Sequence, residues 1–306
     1  MDHASGIAAG ILADRLIKDP QRYHPVALFG QYALWWERRL YRDNKVAGAV
    51  FAAACVLPPT LVAAGVAKRA PRLATAVALW AALGGTSLEH TGMRMAQALE
   101  SGDEDAARSW VPWLCSRDPE LLDAPGMARA AVESVAENTS DAAIAPLVWA
   151  AVAGAPGVVA HRCVNTLDAM VGYCNERYRN FGWAAAKLDD AMAWVPARLT
   201  AVVHTGFAAL HGRGAAALRA WRDDAPSHPS PNAGPVEATA AAALGVRLGG
   251  PTAYAHGVEK RPYLGEGPAP TVQTVREAVR LSRCTQLAVG AMAYVFKSTS
   301  SQVLKG

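Results

Sequence analysis

The chain has 306 residues, 52% of them hydrophobic and only 18% charged, with a formal net charge of +4. Thirty basic residues against 26 acidic ones are too nearly balanced to point to a nucleic-acid partner. Soluble domains carry about 25% charge, and here uncharged stretches of membrane length alternate with polar ones that hold most of the acids. That segregation argues against a soluble protein.

In chain order, residues 4–17 form a first apolar segment containing Asp14 and Arg15, without the basic lead and cleavage site of a signal peptide. Asp14, Asp19 and His24 make a small polar constellation, with Arg15 or Arg22 available to neutralise Asp14. Residues 46–67 are long enough to cross a hydrocarbon core as a helix, with a kink expected at Pro58 and Pro59. A basic turn at 68–72 leads to a second apolar run at 73–88, predicting a membrane hairpin. The more basic segment 18–45 is assigned to the cytoplasm. Residues 89–141 are polar, with helices expected over 106–114 and 126–141 and turns at 117–120 and 123–126.

The next apolar run, 142–160, contains Gly154, Pro156 and Gly157. A turn-permitting glycine beside a proline predicts two half-helices that return the chain to the side it left. Residues 161–190 are polar, 191–212 apolar apart from Arg198 and two histidines, 213–280 polar, and 281–296 the last apolar segment. A helix is expected over 238–248, with Pro235 in its first turn. No strand-like alternation persists. The expected fold is all-α: one multi-pass integral membrane domain over 1–306 with four to six membrane segments, its site built by polar segments 89–141, 161–190 and 213–280. Five scattered cysteines without CxxC spacing read as small buried thiols, not as disulfides or a zinc site.

Three polar clusters stand out. Arg129, Glu133, Glu137 and Asp141 step by four and share one helical face. Three carboxylates in a row repel unless a cation or an arginine neutralises them, so Glu133, Glu137 and Asp141 are candidate magnesium ligands, with Asn138 beside them on the substrate side. In the second cluster Asn165, Asp168, Gly172, Asn175 and Glu176 share a face, Asp168 being both a candidate metal ligand and a catalytic group. Arg177 and Arg179 offer forked donors suited to phosphate or carboxylate, and Asp189 and Asp190 follow as a cation site or a helix cap. In the third, His228 and Asn232 lie in a loop stiffened by three prolines. Rigid polar loops of this kind hold ligands, and His228 could carry a proton. No phosphate-binding glycine loop, zinc helix or nucleophile elbow occurs.

Taken together, HPV (24–26), VESVAEN (132–138), NTLDAMVGYCNERYRNFGW (165–183), LDD (188–190), PARLTA (196–201) and HPSPNAG (228–234) resemble the CobD/CbiB family of cobalamin-biosynthesis membrane proteins, the adenosylcobinamide-phosphate synthases. The resemblance covers residues 10 to 296. It implies an inner-membrane ligase that joins (R)-1-aminopropan-2-ol, or its O-phosphate, by an amide to a propionate of adenosylcobyric acid, with ATP and magnesium. The expected partners are this corrinoid, the amino alcohol and the lipid bilayer, together with a second copy of the chain and other enzymes of the pathway. The site is expected to face the cytoplasm.

A carboxylate needs activation before it condenses with an amine, and phosphoryl transfer from ATP would supply it. For that chemistry Arg177 suits a phosphate, and Glu176 or His228 suits the proton leaving the amine. Asn138, Asn165, Asn175, Arg198 and Asn232 suit substrate binding. The rival enzyme reading is a magnesium-dependent prenyl- or phosphatidyl-type transferase, which would need paired aspartate motifs that are missing. A non-catalytic membrane sensor on a related scaffold is the other alternative, and intact polar motifs argue against it.

Overall fold

A computed structural model describes residues 3–17, 24–254 and 257–303; Asp19, Pro20 and Arg22 lie outside them. Twelve α-helices are described: α1 (His3–Ile17), α2 (Pro25–Leu40), α3 (Lys45–Arg69), α4 (Pro71–Ala82), α5 (Gly85–Glu100), α6 (Glu104–Leu114), α7 (Ala124–Asn138), α8 (Ala145–Val171), α9 (Trp183–Leu210), α10 (Gly214–Arg219), α11 (Ala233–Leu244) and α12 (Val272–Val303). A π-helical stretch, Thr139–Ile144, joins α7 to α8. The helical class is as expected. A two-stranded antiparallel hairpin, β1 (Leu248–Tyr254) and β2 (Gly257–Leu264), was not. It arises because Gly245, at φ +69°, ends α11 in the left-handed conformation, four residues short of the expected end at 248.

The chain divides into two compact units, residues 1–84, 141–193 and 289–306 in one, and 85–140 with 194–288 in the other. Helices α9 and α12 contribute to both.

In the first unit α3 runs through Pro58 and Pro59 without a break. Pro58 has no N–H to offer the carbonyl four residues back. The Tyr32 hydroxyl of α2 donates to that carbonyl, Ala54 O, at 2.9 Å. The outer face of α3 exposes Val46, Val50, Leu57, Leu61, Val62 and Val66. Its inner face buries Phe51, Ala52 and Cys55 against Leu167, Val171 and Phe181. The apolar run 73–88 is not one helix: α4 stops at Ala82, and Leu83 turns extended. Twelve residues rise only ~18 Å, too short for a span.

Helix α8 divides at Gly154, whose φ of +65° and ψ of −153° are non-helical. The first half descends along α4: Gly84 N donates to Ala142 O at 2.9 Å, and a Cβ at Gly154 would stand 3.7 Å from Thr75 Oγ1. The second half climbs back, since Val159, Arg162, Cys163 and Thr166 share a cavity of about 180 Å³ with Ala78, Ala81 and Ala82. Two half-helices meet at Gly154, as the glycine and proline cluster predicts, and both pack on α4.

Among the described residues, two helical stretches are long and apolar enough to cross a membrane, Lys45–Arg69 and one within Ala124–Val171. Four to six were expected. Part of the difference is the early end of α4. All five cysteines are free; Cys55 and Cys163 are buried as expected, but Cys174 and Cys284 are exposed.

A Cβ at Gly154 would meet only Thr75 Oγ1, at ordinary contact distance, so a side chain there meets backbone strain, not a clash. Gly154→Ala should lower stability by about 1–3 kcal/mol, the range for a residue forced into a glycine-only conformation. Gly206→Ala, in an open and ordinary helical position of α9, should instead be neutral or stabilising by about 0.5–1 kcal/mol. Thermal denaturation of the detergent-purified protein checks both, and equal effects would refute the strained turn.

Candidate functional site

The second unit buries an ionic cluster at the face that Arg129, Glu133 and Glu137 share. Glu133 is 3% exposed. One of its oxygens pairs with the buried Arg117, and the other accepts the Gly249 N–H at 2.7 Å. Arg129 donates to Gly249 O at 2.8 Å and to Pro251 O at 2.7 Å. This face of α7 therefore grips the backbone of β1. On the neighbouring strand, Arg261 pairs in register with Gly250, and its charge acts on Glu137, Glu237 and His228.

Glu237 is the one charged residue of α11, a helix in which every residue is buried. Burial pushes its carboxyl well above the usual carboxylate range; Glu137 and Glu133 add to the shift, and Arg261 and Arg117 oppose it. Burial likewise raises Glu137, which lies before the apolar run that begins at Ala142; Arg261 opposes the shift and Glu133 adds to it. His228 reaches the same place from the proline-rich loop, its Nε2 3.7 Å from Glu237 Oε1. Neither atom has a hydrogen-bond partner among the described residues. Burial lowers the His228 pKa, so its ring is neutral near pH 7. The loop is held by Arg198, which donates to Asn232 Oδ1 and, at 2.8 Å, to Pro231 O, while Ser230 Oγ accepts the Ala233 N–H at 3.1 Å. Asn138 turns back on its own helix and donates to Ser134 O at 3.0 Å.

The first unit holds the other motif. Buried Glu37 accepts from Arg177 at 3.0 Å and from the Tyr178 hydroxyl at 2.9 Å. Arg177 also lies over the Tyr41 ring, 4.4 Å from its centre. Asn175 closes a turn by accepting the Tyr178 N–H at 2.9 Å, and Asn180 donates to Asp43 at 3.0 Å. Gly182 is required because a Cβ there would run into Val171 O. Asn165 donates to Asp189 at 3.4 Å, and Asp190 pairs with Lys187 at 2.9 Å. Helix α9 begins at Trp183, so neither aspartate caps it. Half-buried Asp168 lies beside Gly172, and Glu176 is exposed.

Of the residues singled out in the sequence, Glu133, Glu137, Asn138, Arg198, His228 and Asn232 fall in one unit, and Asp141, Asn165, Asp168, Asn175, Glu176 and Arg177 in the other. Of the expected magnesium ligands, Glu133 is committed elsewhere. Glu133 has both oxygens engaged, by Arg117 and Gly249. The π-helical stretch intervenes before Asp141 and disturbs the step of four. No group of three His, Cys, Asp or Glu side chains among the described residues could hold a metal. The cation that neutralises this face is an arginine.

Sequence reasoning passed over Arg117, Glu237 and Arg261. A lone acid in the alanine-rich run 236–244 was the available signal for Glu237. Arg117 looked like a turn residue, and nothing marked Arg261.

The CobD/Cbib protein family matches residues 7–282. The chain belongs to the CobD/CbiB family. It is 51% identical over 297 residues to the cobalamin biosynthesis protein CobD of Mycobacterium tuberculosis, covering 95% of this chain and 94% of that one. The protein of that name from Chromobacterium violaceum is 44% identical over 292 residues, 92% of each chain. That of Geobacter metallireducens is 40% identical over 297 residues, 90% of this chain and 91% of the other. No solved structure matches. Membership places the chain among the proteins of cobalamin biosynthesis.

Removing one partner of a buried ion pair leaves an uncompensated charge, at a cost of about 3–5 kcal/mol, whereas replacing both with apolar groups can be neutral. Arg117→Met should therefore destabilise the protein by about that much, and the Arg117→Met/Glu133→Leu double variant should recover most of it. Chemical denaturation of the purified variants measures this. Additive losses in the double variant would show that the pair is not coupled.

Proposed function

We propose that the chain is an amide-forming ligase of cobalamin biosynthesis, joining 1-aminopropan-2-ol or its O-phosphate to a propionate of adenosylcobyric acid with consumption of ATP. The cluster of buried Glu237 and His228 with half-buried Glu137 and Arg261 is the observation that carries this reading. A condensing enzyme must hold anionic substrates, exclude water and take a proton from an ammonium, and the cluster offers an arginine, a dry site and two carboxyls that burial keeps basic.

In this reading a propionate oxygen attacks the γ-phosphorus of ATP, ADP leaves, and the acyl phosphate is then open to the amine. Arg261 offers a forked donor for an anionic oxygen. Burial inside an alanine-rich helix keeps water from hydrolysing the acyl phosphate. Magnesium arrives as the partner of the ATP phosphates, and no carboxylate of this chain is assigned to it. Arg177 and Glu176, in the first unit, remain candidates for binding a phosphate and a proton, although Glu37 and Tyr41 already engage Arg177.

The same proposal makes the chain a multi-pass inner-membrane protein with its site on the cytoplasmic side. The apolar outer face of α3 supports this, because contiguous exposed apolar surface marks a membrane or a partner. So does the divided α8: broken backbone at membrane depth is tolerated where protein shields it, and α4 does so at Gly154.

Membranes carrying the protein, incubated with adenosylcobyric acid, ATP, magnesium and 1-aminopropan-2-ol O-phosphate, should convert the corrinoid to the amide, read as a mass shift. Unchanged corrinoid mass in a preparation that binds the corrinoid would contradict the proposal.

A further inference from the structure

The pair His228 and Glu237 is a buried donor and acceptor facing each other at 3.7 Å. The Ser230 N–H can only donate, and it lies 3.0 Å from His228 Nδ1, closer than the 3.2 Å to Ser230 O. Nδ1 is therefore the acceptor, and in the neutral ring the proton is assigned to Nε2. That N–H points toward Glu237 Oε1, but 3.7 Å is beyond a hydrogen bond. Both side chains are almost fully buried, at 3% and 2% exposure. Nothing described completes Nε2 or Oε1. An unsatisfied buried polar atom is costly, so the pair suits something that supplies an acceptor to Nε2 and a donor to Oε1.

Resting on the ligase reading above, we infer that His228 and Glu237 form the subsite for the amine substrate, which they recognise as a 1,2-amino alcohol. A vicinal amino alcohol carries a cationic N–H donor and an oxygen acceptor on adjacent carbons. The ammonium would meet Glu237 Oε1, and the C2 oxygen would accept from His228 Nε2. The charged groups that act on Glu237 are Glu137 and Glu133 of α7, Arg261 of β2 and Arg117.

The transfer follows from this placement. One proton of the bound ammonium passes to the Glu237 carboxylate, freeing the nitrogen lone pair. Nitrogen attacks the acyl carbon, the C–O bond to phosphate breaks, and phosphate leaves with the electron pair and the second nitrogen proton. Glu237 then returns its proton to solvent. Desolvation favours the neutral amine and carboxylic acid over the ion pair, which makes a buried glutamate a competent acceptor.

Calorimetric titration of the full-length, detergent-purified protein with 1-aminopropan-2-ol, and separately with propan-1-amine, tests the assignment. Wild type should bind the amino alcohol roughly tenfold or more tightly than the amine that lacks the oxygen. His228→Ala should lose that discrimination, and Glu237→Gln should weaken both ligands by roughly tenfold or more. Unchanged affinity in Glu237→Gln, or equal affinities of wild type for the two ligands, would overturn the inference. Should Glu237→Gln not fold, the discrimination by wild type and its loss in His228→Ala decide the question. Hydroxylamine trapping in wild type with ATP and adenosylcobyric acid alone reports on carboxylate activation separately. An absent hydroxamate with intact amine discrimination would refute the ligase reading and leave the amine subsite standing.

Discussion

The buried pair of Arg117 and Glu133 is the constraint on which the second unit depends. A carboxylate in the middle of a packed helix would be intolerable alone, because burying an unpaired charge costs several kcal/mol. Arg117 supplies the counter-charge, and the Gly249 N–H takes the remaining oxygen. The same contact fastens the β1–β2 hairpin to α7, since Arg129 completes it through the carbonyls of Gly249 and Pro251. A hairpin of two strands is marginal by itself. Clamped in this way, it brings the charge of Arg261 to bear on Glu137, Glu237 and His228.

From that clamp the proposed chemistry follows in order. Glu133 is consumed by structure, so the carboxyls left for chemistry are Glu137 and Glu237, both raised by burial. The loop at residues 228–232, fixed by Arg198, adds a histidine whose free N–H faces Glu237. An enzyme that joins an ammonium to an activated carboxylate needs a basic group in a dry place, and dryness is also what makes these carboxyls basic.

Much of this was legible in the sequence, and the failures have physical causes. The apolar runs and the break at Gly154 could be read from composition because glycine and proline act locally. The shared face of Glu133 and Glu137 was equally plain from the helical step. What the face binds was not, because its partners, Arg117 and the backbone of Gly249, are distant in sequence and the latter has no side chain to notice. The early end of α4 at Ala82 escaped because Leu83 and Gly84 break the helix without breaking the hydropathy. Glu237 was hidden by the opposite bias: one acid among alanines looks minor until the helix proves buried on every side.

The central claim is that this protein activates a propionate by phosphoryl transfer and protects the acyl phosphate until an amine arrives. Adenosylcobyric acid labelled with oxygen-18 in its free carboxylate tests it most directly. If the acyl phosphate forms, the phosphate released during amide synthesis carries one labelled oxygen from each propionate turned over. Unlabelled phosphate alongside amide product would contradict phosphoryl activation of the propionate.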